Sequence, residues 1–127
     1  MKKLKKLFVP CSQSRQLKEL GFDEPCFGIF IDGNFNLIFT DRQVSDKVIS
    51  APIFAQAFEF FREKYNLFGQ VNIHTYFIYD ISTLEIVKEY DKLTKTYKET
   101  ELACLIKLID IVKARNIGEQ FTSTPKN

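Results

Sequence analysis

Between Ser50 and Phe68 the chain reads SAPIFAQAFEFFREKYNLF, its longest strongly periodic segment. Laid out at about 100° per residue, Ile53, Phe54, Ala57, Phe58, Phe60, Phe61, Tyr65, Leu67 and Phe68 fill about half the circumference of a helix. Glu59, Arg62, Glu63 and Asn66 hold the rest. Ser50 predicts the N-cap, Pro52 falls in the first turn where its missing N–H costs nothing, and Gly69 is placed to stop the helix. A helix resting on one sheet needs an apolar stripe only about 100° wide, so this one predicts a second contact on its other flank.

Elsewhere the pattern alternates. CFGIFID and FNLIFT predict two strands joined at Asp32, Gly33 and Asn34, with Phe27, Ile29 and Ile31 on one face and Phe35, Leu37 and Phe39 on the partner's. Residues 41–49 are polar and predict a surface crossing. After Gly69, Val71, Ile73, Thr75, Phe77, Tyr79 and Ile81 line one side of a long strand, and LEIVKEY returns beside it as a charged edge. Before the first hairpin, Ser12 or Ser14 predicts the cap of a short helix carrying Leu17 and Leu20, closed by Gly21, with Phe22 packing back. After the second, Thr96 predicts the cap of a helix from Tyr97 to Arg115, with Leu102, Leu105, Ile106, Ile109 and Val112 as its core face, widened by Cys104, Leu108 and Ile111. The predicted fold is α+β. One antiparallel four-stranded sheet of two hairpins carries two long amphipathic helices on one face, plus the short N-terminal helix. Residues 1–9 read as a basic tail, 10–116 as a single domain and 117–127 as a frayed end.

Composition changes this picture little. A chain of 127 residues with 45% hydrophobic and 27% charged content fits one soluble domain. The formal net charge is only +2, so positive charge is local, at Lys2, Lys3, Lys5 and Lys6. Leu7, Phe8 and Val9 fall short of an export signal's apolar run, and no stretch is long enough for a membrane span, so a cytoplasmic setting without membrane contact is expected. There Cys11, Cys26 and Cys104 stay reduced.

The run Leu17-Lys18-Glu19-Leu20-Gly21-Phe22-Asp23-Glu24-Pro25, the helix from Ala51-Pro52 to Phe61-Arg62-Glu63-Lys64-Tyr65, and Glu99-Thr100-Glu101-Leu102-Ala103-Cys104-Leu105 resemble the opening, central and closing segments of small uncharacterised proteins encoded by tailed bacteriophages and prophages. The resemblance implies a phage origin and transfers no catalytic residue.

Candidate chemistry is sparse. His74 is the single histidine and has no nucleophile motif around it, so it reads as a sheet histidine. Cys11, Cys26, Cys104 and His74 have zinc-binding atoms without the short paired spacing of zinc sites. The glycines form no phosphate-binding loop, and Asp32, Asp41 and Asp46 read as turn formers. No cofactor, metal or enzymatic activity is expected. Two surfaces are. Ile53, Phe60, Leu67, Leu108 and Ile111 form a candidate interface for a homodimer. Phe30, Ile38, His74, Tyr76 and Ile78, with Val87, form a candidate ligand face on the outer side of the sheet. The leading expectation is a non-enzymatic bacteriophage accessory protein in the host cytoplasm that self-associates and binds a host protein or signalling ligand. The alternative is a small single-stranded nucleic-acid or nucleotide-binding module that stacks bases on the aromatic sheet face.

Overall fold

The computed structural model describes residues 2–41, 47–90 and 96–122. It is α+β, and it divides into two compact units, Met1–Lys64 and Tyr65–Asn127.

The first unit opens with α1 (Lys2–Lys5) and α2 (Cys11–Glu19), followed by strands β1 (Gly28–Ile31), β2 (Asn34–Asn36) and β3 (Val48–Ala51) and helix α3 (Phe54–Tyr65). The strands form an antiparallel sheet in the order β2-β1-β3. Its hairpin is the predicted one: Ile31 pairs with Asn34 across Asp32 (φ 50°) and Gly33 (φ 80°), the two left-handed residues of a tight turn whose twist matches the strands. Phe30 stands opposite Phe35 on one side and Ile49 on the other, and with Phe8 and Ala51 these side chains start the core. Gly28 is required there, because a Cβ would lie 2.8 Å from the Phe35 ring and 3.0 Å from that of Phe8. The stretch expected as a basic tail instead enters the core at Phe8 and Val9, and Val9 N–H donates to Pro52 O at 2.8 Å.

Helix α2 starts directly after Pro10 without a side-chain cap. Ser14, expected as a cap, is buried inside the helix and donates to Val9 O at 3.0 Å. At the other end Gly21 (φ 96°) closes the helix as expected, with Phe22 N–H donating to Leu17 O at 2.9 Å and the Phe22 ring buried. Lys64, on α3, adds a bond from its ammonium to Leu20 O at 2.9 Å, where a cation also suits the helix dipole.

The second unit holds β4 (Leu67–Val71), β5 (Tyr76–Asp80), β6 (Ile86–Glu89) and α4 (Tyr97–Thr122). The sheet order is β4-β5-β6, antiparallel throughout, and α4 packs on β4 and β5 through buried Cys104, Leu105, Leu108, Ile109 and Val112. Thr96 caps α4 as predicted, its hydroxyl oxygen accepting from Glu99 N–H at 3.1 Å. The helix continues past Arg115 to Thr122. β6 is the exposed edge that its charges predict: Ile86 pairs with Tyr79 and Lys88 with Ile78, which leaves Val87 as the extra residue of a bulge.

Three corrections turn the predicted four-stranded sheet into two three-stranded ones. Val48–Ala51 is a strand, not a crossing and cap. Val48 and Ile49 are β-branched, Pro52 holds the preceding residues extended, and Ser50 is buried with its hydroxyl 3.3 Å from that of Thr40. Helix α3 therefore starts at Phe54, with Gln56 Oε1 accepting from Ile53 N–H at 3.1 Å. It also ends at Tyr65, because Asn66 takes the left-handed conformation (φ 54°) and hands Leu67 and Phe68 to β4. Finally, the single long strand expected over 71–81 is broken by a turn in which Asn72 N–H donates to Thr75 O at 2.8 Å. The two long helices consequently belong to different units rather than to one sheet face.

Candidate binding surface

The apolar surface of the first unit concentrates beyond the hairpin. From Ile29 opposite Asn36 to the next pairing, Cys26 opposite Thr40, Phe27 and Gly28 on one strand face Leu37, Ile38 and Phe39 on the other. The extra residue makes a bulge, and bulges re-aim side chains. Cys26 and Thr40 close it with reciprocal backbone bonds of 2.7 Å. Phe27, Leu37, Ile38 and Phe39 all point to solvent, at 64, 48, 49 and 57% exposure, with the Phe27 and Phe39 rings 5.3 Å apart and inclined at 50°. Ile31 extends the patch at the hairpin end. Exposed apolar side chains are ordinary singly, but neighbours held in one loop mark an interaction surface.

A second concavity on this unit has opposite character. Gly21, Asp23, Glu24, Phe60, Glu63 and Lys64 line a cleft of about 310 Å³, and a smaller one of about 90 Å³ adjoins it beside Gln56 and Glu59. Gln56 Nε2 donates to Pro25 O at 2.7 Å, and the Lys64 ammonium stands 5.5 Å from the centre of the Phe60 ring. Four carboxylates surround one ring and one cation.

The residues expected as a dimer interface are largely taken up by packing within their own units. Leu67 and Leu108 are fully buried, Ile53 packs partly buried against the Phe8 cluster, and Ile111 is half-buried on α4. Phe60 is half-buried, edge-on to Phe22 and to Phe61 with centroids 5.4 Å apart in each case. The expected ligand face is largely closed as well. Phe30, Tyr76 and Ile78 are buried at 3, 3 and 0% exposure, so they offer no open ring for a base to stack on. Ile38 is exposed but belongs to the bulge, and His74 is exposed in the 72–75 turn. Phe30 and Ile38 lie in one unit, and His74, Tyr76 and Ile78 in the other. Tyr76 stacks on Tyr90 at 4.8 Å, and burial, with Cys104, Tyr90 and Asp110 nearby, pushes its hydroxyl up to about 12.

Among the described residues no cluster of His, Cys, Asp and Glu is arranged for a metal ion. All three cysteines are free thiols. Burial, helped by Glu24, raises Cys26 to about 12, and burial, helped by Glu101, raises Cys104 equally. Both are protonated, poor nucleophiles at neutral pH. Asp32 forms the hairpin turn, Asp41 is exposed, and Asp46 lies outside the described residues.

Alternation places Phe27, Ile29 and Ile31 with Phe35, Leu37 and Phe39 on one face, but the register pairs Phe30 with Phe35 and builds the core cluster on their side, which leaves Phe27 exposed, while the extra residue breaks the alternation of Leu37, Ile38 and Phe39. The one signal in the sequence is the consecutive apolar triplet Leu37-Ile38-Phe39, which strict period two cannot bury on one side. No protein family, curated protein or solved structure matches the chain.

Proposed function

We propose that this chain is a non-catalytic binding protein that self-associates through the Phe27, Leu37, Ile38 and Phe39 bulge and so presents a paired surface to a host protein. The observation that carries the reading is the Phe27–Phe39 ring pair, held in contact by the Cys26–Thr40 bridge yet more than half exposed. Aromatic anchors on a rigid frame dominate association energetics, because their area is buried at little entropic cost. Resemblance to small phage-encoded proteins supports a bacteriophage accessory role in the host cytoplasm.

Size exclusion coupled to light scattering tests it. The expected species is a dimer that the double substitution Phe27→Glu with Phe39→Glu converts to a folded monomer, with unchanged far-UV circular dichroism. A wild-type monomer at high concentration, or a dimer indifferent to both substitutions, refutes the assignment.

A further inference from the structure

The basic N-terminal turn has a feature that charge alone does not explain. Its backbone closes by i+3 bonds, Leu7 N–H to Leu4 O at 3.0 Å and Phe8 N–H to Lys5 O at 3.1 Å. Where α1 gives way to this turn, Leu4 and Leu7 are the two ends of one such bond and stand about a turn apart, and Phe8 enters the core. Leu4 and Leu7 are 44 and 54% exposed, and Lys3, Lys5 and Lys6 are exposed beside them. The turn is also fixed in place. Phe8 bridges to Ile53, Phe54 N–H donates to Leu7 O at 3.3 Å, and Val9 N–H is bonded to Pro52 O. A solvated tail needs neither paired leucines nor a fixed base.

We propose that this turn docks the protein peripherally on an anionic lipid surface, with Leu4 and Leu7 entering the headgroup boundary and Lys3, Lys5 and Lys6 meeting the lipid charges. Surface attachment takes two signals, an apolar insertion and a basic cluster, and both are built into this one turn. Each lysine near an anionic leaflet multiplies affinity roughly fivefold. The leucine pair adds apolar burial that a nucleic-acid backbone has no use for, and this singles out lipid from the other polyanions that lysines attract. Among the described residues no helix is long and apolar enough to cross a membrane, but surface docking requires none. The inference stands apart from the self-association reading, because the bulge and this turn are different segments.

Co-sedimentation of the full chain with vesicles of phosphatidylcholine mixed with phosphatidylserine, against phosphatidylcholine alone, tests it. Binding is expected only to the anionic vesicles. It should weaken at raised salt, and fall roughly tenfold for Leu4→Ser with Leu7→Ser and more steeply for Lys3→Gln with Lys6→Gln. All four positions are exposed, so the variants keep the wild-type circular dichroism. Full binding by the leucine variant would leave only diffuse attraction and overturn the docking model. So would no binding to anionic vesicles, or displacement from them by a single-stranded oligonucleotide that binds the leucine variant equally well.

Discussion

Burial sets the chemistry of the single residues. Cys26 and Cys104 are buried while Cys11 is half-buried, so a maleimide should label Cys11 in the native protein and reach the other two only on unfolding. The same burial sets an alkaline limit. The thiols of Cys26 and Cys104 rise from 9.0 to about 12 on folding, and the hydroxyl of Tyr76 from 10.0 to about 12. Between those values the folded chain holds protons that the unfolded chain has lost. This contribution to stability is complete below the unfolded values and is lost as pH rises through the folded ones. Urea midpoints should therefore be level near neutrality and drop steadily in strong alkali, and Cys104→Ala should flatten part of that slope. Equal labelling of all three cysteines, or a flat alkaline profile, would contradict the burial. Position in the pattern singled out the two sealed thiols, Cys104 on the core face of its helix and Cys26 at the start of a strand, and both are buried.

At the scale of elements, local chemistry was legible wherever one residue decides the backbone. Asp32-Gly33 announced its turn, Gly21 the end of α2, and Thr96 the start of α4. Thr96→Ala removes the acceptor for Glu99 N–H at an exposed helix end and should cost about 1 kcal/mol. Chemical denaturation reads this directly, and a change near zero would show that water replaces the cap. The errors arose where two rules competed. Ser50 before Pro52 is a helix-start signal, yet Val48 and Ile49 favour a strand, and pairing with β1 decided for the strand. Helical periodicity puts Asn66 on the polar side of a helix, but asparagine is among the few residues that enter the left-handed region cheaply, and this converts the last predicted helical turn into β4. The candidate binding surface was hidden because period two fixes a core face only once the register is known: pairing Phe30 with Phe35 sets the core cluster on their side and leaves Phe27 exposed, and the extra residue between Asn36 and Thr40 breaks the alternation of Leu37, Ile38 and Phe39.

For the molecule as a whole, the two proposed contacts respond oppositely to their medium. Association through the aromatic bulge is apolar and should persist or strengthen as salt rises, whereas lipid attachment through the lysines should fade. The open side of β6 adds a consequence for solution behaviour at high concentration. An unpaired strand edge is a template for stacking one chain on the next into fibres, and here Lys88 and the bulge at Val87 stand against it. Lys88→Ile would place an apolar residue beside exposed Ile86 and Val87 and leave only the bulge as a guard. The variant should fold normally yet turn turbid and thioflavin-positive on concentration, where the parent stays clear. If the variant stays clear as well, the kink alone keeps the protein from polymerising, and the lysine is free to serve another purpose.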